Sequence, residues 1–180
     1  MEVQKTEIDG LLVIRPKVFE DTRGYFFESY NEKLFREAGV DTRFVQDNQS
    51  RSSYGVIRGL HMQKKPHAQA KLLRVLEGAI YDVAVDMREG SPTFGKWYGL
   101  EITSANHIQL FIPAGFCHGF SVLSDTATVL YKCDVFYHPE SEAGIRYNDP
   151  ELGIDWKIPA DQVSVSEKDS KLPYLKEFNH

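Results

Sequence analysis

Residues 72–86 read LLRVLEGAIYDVAVD, and their spacing decides the fold class. Glu77-Gly78 breaks the stretch into two short apolar segments. In the second, Tyr81, Val83 and Val85 alternate with Ile80, Asp82 and Ala84, the period of two that belongs to a strand. The same rhythm continues outward in both directions. Ser91-Pro92 and Phe94-Gly95 form a turn before Trp97-Tyr98. Gln109 to Ile112 is a further strand, closed by Pro113 and Gly115, and Thr126 to Tyr137 alternates again. Towards the N-terminus, short strands begin at Val56. Leu11 to Ile14 is a short run closed by Pro16, and Tyr25, Phe26 and Phe27 follow the turn-like Asp21-Thr22-Arg23-Gly24. One helix is expected: Asn31 caps it, Leu34, Phe35 and Ala38 share a face, and Gly39 stops it. Many short strands at turn-punctuated spacing mean an all-β sandwich or barrel. No linker divides the chain, so residues 1–180 are expected to form one domain.

The composition excludes several function classes. The chain has 180 residues, 42% hydrophobic and 26% charged, enough for one sizeable core. Formal net charge is −5 and no Lys/Arg run builds a basic stripe, so neither nucleic acid nor a membrane surface is an expected partner. A pocket in an acidic protein can still be locally positive, so an anionic small molecule stays open. MEVQKTEIDG lacks the apolar core of a signal peptide, and no apolar run reaches membrane-spanning length. The expected location is cytoplasmic. Cys117 and Cys133 are the only cysteines, are not in a CxxC pair, and are expected to be reduced.

Histidine titrates near neutral pH, so the six histidines come first. His107 and His138 lie in turns, His67 follows Lys65-Pro66, and His180 is terminal; all four are expected to be solvated loop residues. His61, in VIRGLHMQ, falls on the strand face of Ile57 and Gly59, which fits a packed core histidine as well as a functional one. His118, in IPAGFCHGF, sits between Gly115 and Gly119, which implies either a tight turn or close backbone approach. Tyr131 shares an apolar face with Ala127, Val129 and Cys133. It is either core packing with a satisfied hydroxyl or an acid-base group inside a barrel. Lys71 lies on the face of Leu73 and Val75, where an unpaired ammonium is costly. A barrel metal centre of the His-x-His type would need a second ligand two residues after His61, and Gln63 stands there, so no metal is expected. GxSxG, Walker and GxGxxG patterns are absent, which removes support for nucleophilic hydrolysis, P-loop phosphoryl transfer and nicotinamide chemistry.

The segments DTRGYFFESY, QDNQSRSSYGVIRGLHMQ, KLLRVLEGAIYDVAVDMREGSPTFGKW, IPAGFCHGFSVLS, YKCDVFYHPESEAGIRYNDPELGIDW and VSEKD together resemble the dTDP-4-dehydrorhamnose 3,5-epimerase family. The resemblance runs in order from about Arg23 to Asp169. It implies an all-β cupin-type double-stranded β-helix, a jelly-roll barrel with a few short helices, usually a homodimer. The implied substrate is a dTDP-4-keto-6-deoxyhexose, and no cofactor is implied. By similarity His61 is the base, Tyr131 the acid, Asp169 the partner of His61, and Lys71 the group near the sugar ketone. Arg23, Glu28, Gln46, Asn48, Arg58, His118, Glu142 and Lys168 match substrate-binding positions. Phe26 matches a residue that packs on thymine, and the segment carrying Arg23 and Phe26 is implied to come from the partner subunit.

The chain departs from the family's usual Tyr or Phe at Met62, and from its frequent Ala at Cys117. Simple strand alternation also puts Arg58 on the face opposite His61 unless Gly59 kinks the strand. The competing readings are an epimerase acting at C3 or C5 alone, a ketoisomerase on a related sugar, a non-catalytic cupin that binds a sugar nucleotide, and a metal-dependent cupin oxygenase.

Overall fold

The computed structural model describes residues 1–178; His180 lies outside them. In chain order the first half carries β1 (Glu2–Lys5), β2 (Leu12–Arg15), β3 (Phe19–Asp21), β4 (Gly24–Phe26), α1 (Glu32–Glu37), β5 (Gln46–Ser53), β6 (Val56–Gln63), β7 (Lys71–Glu77) and β8 (Ala79–Asp86). The second half carries β9 (Trp97–Thr103), β10 (Gln109–Ile112), β11 (Phe116–Val122), β12 (Thr126–Cys133), β13 (Glu142–Gly144), β14 (Ser164–Val165) and α2 (Glu167–Ser170). The strands build two large sheets and a separate two-stranded β3–β4 hairpin. One large sheet runs β1-β2-β10-β7-β12-β5; the other runs β13-β6-β11-β8-β9, with β14 added in parallel to β6. The chain has the cupin-type jelly-roll architecture.

Apolar side chains of both sheets meet between them. Leu73, Leu110 and Val129 of the first sheet pack with Ile80, Ile102 and Phe120 of the second in one buried cluster. A second cluster covers the outer face of the second sheet, where Val83 and Val85 meet Ile145 and Trp156 of the C-terminal segment. α1 covers the outer face of the first sheet through Phe35, which joins Leu12, Ile14 and Leu72. This layering explains why β8 reads as nearly continuous apolar sequence: Ile80 and Ala84 face one cluster, Val83 and Val85 the other. Burying each Val, Leu, Ile or Phe side chain contributes roughly 1.5–3 kcal/mol.

Local elements largely follow the sequence. Asn31 Oδ1 accepts the Leu34 N–H and caps α1, and Gly39 leaves the helix at φ +94°. The strand from Thr126 is shorter than its alternation implies. β12 stops at Cys133 because the Asp134 carboxylate takes the Ala70 N–H at 2.7 Å and ends the ladder.

The larger departure is in β6. His118 pairs with His61 but Phe120 pairs with Arg58, so two steps along β11 oppose three along β6. That bulge reverses the alternation and brings Arg58 and His61 to one face. Ile57 is left in the outer cluster with Leu60, away from His61. Gly59 has φ +132°, and a Cβ there would lie 2.5 Å from Gly119 Cα. The close backbone approach implied at Gly119 is thus to β6 itself, and His118 sits in a strand, not a tight turn.

Candidate active site

Two adjoining cavities, of about 490 and 260 Å³, open between the sheets and share His61, Lys71, Tyr131 and Glu142 as walls. Together they reach the size of a small-molecule ligand pocket. The larger also takes in Arg58, His118, Lys168 and Asp169; the smaller adds Gln46 and Asn48. His61 and His118 come from the second sheet, Lys71 and Tyr131 from the first, so the two pairs reach the space from opposite walls.

His61 is a cavity residue, not a core one. Its Nε2 lies 2.7 Å from Asp169 Oδ1. Asp169 is buried on α2, whose Ser166 cap accepts the Asp169 N–H, and the Gly59 N–H donates to Asp169 Oδ2 at 3.3 Å. Burial opposes ionisation of Asp169, but the hydrogen bonds from His61, Gly59 and Ser166 outweigh it and hold the carboxyl below the ordinary carboxylate range.

On the facing wall, burial pushes the Tyr131 phenol above its ordinary value, opposed by a hydrogen bond with Asn48 and by the Arg58 charge. Lys71 Nζ lies 5.7 Å from the Tyr131 ring centroid. Burial pushes the Lys71 ammonium below the ordinary lysine value, against the opposing pull of Cys133, Cys117, Asp82 and Glu142. Arg58 is aimed by a bond from its Nε to Ser52 Oγ at 2.9 Å. Glu142 ties the rim together: it accepts from Lys168 Nζ at 2.6 Å and from the Tyr137 hydroxyl at 3.0 Å. Cys117 and Cys133 are buried free thiols, and burial pushes Cys117 up to about 12.

Three expected residues are elsewhere. Arg23 and Phe26 lie on the exposed β3–β4 hairpin and line a separate cavity, with Arg23 held by Asp21. Glu28 accepts a hydrogen bond from Asn31. A hairpin carrying exposed Phe19, Tyr25 and Phe26 meets the rest of this chain through the tilted ring contacts of Tyr25 and Phe27 with His107. His107 is therefore half-buried and packed, not a solvated loop residue.

Sequence reasoning missed Asp82 and Tyr137. Asp82 is fully buried on β8, and its carboxylate lies 2.9 and 3.1 Å from His118 Nε2. A lone Asp on the inner face of Ile80 and Ala84 was itself the signal, because a buried carboxylate requires a partner. Tyr137 gave none: it lies past the end of β12 and reaches the rim through loop geometry.

A model of the dTDP-4-dehydrorhamnose 3,5-epimerase family matches residues 5–177. The chain belongs to this family. It is 50% identical to the dTDP-4-dehydrorhamnose 3,5-epimerase of Methanothermobacter thermautotrophicus, over 96% of this chain and 94% of that one. The crystal structure of the family enzyme from Elizabethkingia anophelis superposes with a TM-score of 0.96 at 55% identity, covering 100% of this chain and 99% of that one. The Legionella pneumophila dTDP-6-deoxy-D-glucose-3,5-epimerase, solved in complex with dTDP-4-keto-L-rhamnose, gives 0.94 at 49% identity, over 99% and 94%. Among the described residues no helix is long and apolar enough to cross a membrane.

Proposed function

We propose that this family member epimerises dTDP-4-dehydro-6-deoxy-D-glucose at C3 and C5, giving dTDP-4-dehydro-L-rhamnose by proton removal and return, without cofactor. The observation that carries the reading is the placement of the His61–Asp169 pair and of Tyr131 with Lys71 on opposite walls of one cavity. The C4 ketone acidifies the protons on C3 and C5, its two α-carbons. Inversion needs a base on one face of the ring and an acid on the other. His61 is the base: imidazole accepts a proton near neutral pH, and the Asp169 carboxylate stabilises the imidazolium and fixes its tautomer. Tyr131 is the acid, a neutral phenol on the far wall. Lys71 takes the charge that develops on O4 of the enolate. The reaction is redox-neutral, so a base and an acid account for it.

Arg58 and Lys168 offset pyrophosphate charge, and Gln46, Asn48, His118 and Glu142 hydrogen-bond the substrate. Arg23, Phe26 and Glu28 complete the site from a second copy of the chain: the exposed hairpin of one protomer reaches the cavity of the other in a homodimer, with Phe26 against thymine. Residues 1–180 work as one domain in the cytoplasm.

The test is incubation with dTDP-4-dehydro-6-deoxy-D-glucose in D2O, followed by NMR of the sugar. Deuterium and inverted configuration at both C3 and C5 are expected. Inversion at one carbon alone would replace the reading with a mono-epimerase, and a folded protein that exchanges neither proton would leave a binding protein.

A further inference from the structure

The turns around His67 and His138 mark both as solvated loop residues, but they meet. Their rings stack with centroids 3.5 Å apart and planes 10° from parallel. His138 Nδ1 lies 3.1 Å from Glu140 Oε1. One ligand atom each from His67, His138 and Glu140 falls within 4.8 Å of the other two, the one such group of His, Cys, Asp or Glu among the described residues. The pair comes from two different loops, one after β6 and one after β12, and the side chain of buried Gln63 joins them. Gln63 Nε2 donates to the His67 carbonyl at 2.7 Å and to the Phe136 carbonyl at 3.3 Å, while Gln63 Oε1 accepts the His138 N–H at 2.7 Å. The Lys64 N–H adds a bond to the Ser141 carbonyl at 2.8 Å. The backbone that presents the three side chains is therefore ordered before any ligand arrives.

We propose that His67, His138 and Glu140 form a site for one divalent transition-metal ion, Zn²⁺ by preference, that clasps the loop after β6 to the loop after β12. Two imidazoles and one carboxylate are a zinc donor set with a fourth position left for water. Zinc bonds of about 2.0–2.2 Å in a tetrahedron put donor atoms roughly 3.3 Å apart; His138 Nδ1 and Glu140 Oε1 already stand 3.1 Å apart, and the remaining separations, all within 4.8 Å, need to close by no more than about 1.5 Å. Side-chain rotation supplies that: the Glu140 side chain is 68% exposed and free to swing, and the two rings turn from face-to-face stacking towards a shared in-plane point. The loops carry Gln69 and Tyr137, which with Gln63 at the end of β6 wall the smaller cavity, so a bound ion stiffens that rim without touching the reacting groups. The site is independent of the proposed reaction.

The test uses full-length, tag-free protein stripped with chelator and titrated with ZnCl2 at pH 8 by calorimetry. One ion per chain is expected, with Co²⁺ giving the visible d–d band of a tetrahedral site. His67→Ala and His138→Ala should each weaken binding at least about 100-fold, Glu140→Gln about tenfold, and His107→Ala not at all. In the unaltered protein, Co²⁺ should broaden the imidazole NMR signals of His67 and His138 ahead of those of His61 and His118, a readout that needs no variant. Absence of zinc uptake by the unaltered protein would overturn the proposal. So would binding that survives the His67→Ala/His138→Ala double change, or broadening confined to other histidines.

Discussion

His61 and His118 stand opposite each other in the β6–β11 ladder, and each is held by its own buried carboxylate, Asp169 and Asp82. The two pairs are not equivalent. The His61 side chain keeps 33% of its surface open to the cavity, whereas His118 keeps 7% and Asp82 none. A base must reach a substrate carbon and release its proton afterwards, so the open member suits turnover and the closed one suits fixed hydrogen bonding. Asp169→Asn keeps the side-chain shape and removes the charge behind His61. It should lower kcat by about 10²–10⁴-fold while the Kd for dTDP stays within a few-fold. Steady-state kinetics alongside calorimetry separates the two, and an equal loss in both would make Asp169 a structural residue only.

Tyr131→Phe removes the phenol proton and keeps the ring against the inner core. Solvent deuterium should still enter the substrate through His61, because abstraction needs only the base, but the C5-inverted product should fall by about 10²-fold or more. NMR of the sugar after incubation in D2O reads both quantities from one sample. Unchanged product yield would remove Tyr131 as the acid.

Lys71→Met keeps the stem and removes the ammonium that burial already disfavours. Losing one donor at a developing oxyanion costs about 3 kcal/mol of barrier, a kcat loss on the order of 10²-fold. The fold should hold or gain, since the variant no longer buries a charge, so Tm measured beside kcat distinguishes a chemical role from a structural one.

Much of this architecture was legible in the residues. The break at Glu77-Gly78 and the alternation after it placed β7 and β8 to within about a residue, although Glu77 itself belongs to β7, and Asn31 with Gly39 bounded α1. The inward placement of Lys71 and Tyr131 followed from the same alternation. What failed was parity across a bulge: nothing local to VIRGLHMQ counts the two-against-three register with β11, so Arg58 looked misplaced. Asp169, 108 positions from His61, was reachable only through the family resemblance, because no local pattern joins residues so far apart. The stacked His67 and His138 failed for the same reason, since their meeting depends on the side chain of Gln63.

A stability prediction rests on Asp86, which is fully buried. Burial opposes its ionisation, yet Arg88, Ser91 and Thr93 all donate to the carboxylate and hold its pKa well below the ordinary range. A depressed carboxyl stabilises the fold at pH above its unfolded value, and that contribution is lost as pH falls towards the native value. Asp86→Asn should therefore cost about 3 kcal/mol at pH 7. The gap to the unaltered protein should stay flat from pH 8 to 5 and narrow below about pH 4. Urea midpoints across that range check it; a gap that stays constant into acid would mean the ion pair contributes nothing.

The hairpin decides whether the site is shared between chains. Arg23 and Phe26 line a cavity apart from His61 within one chain, while the aromatic face of their hairpin is exposed. If the hairpin serves a second copy, Arg23→Ala and His61→Ala chains should each be nearly inactive alone yet complement when mixed. Random exchange makes half of the dimers mixed. In each of those, the intact His61 of one chain meets the intact Arg23 of the other at one site, while the second site carries both changes. Activity should return to about a quarter of the unaltered value. Turnover measured after co-refolding equal amounts gives the answer. A mixture no better than the average of its parts would place Arg23 and His61 in the same chain's site, and the hairpin would then have to fold back across its own barrel to reach the substrate.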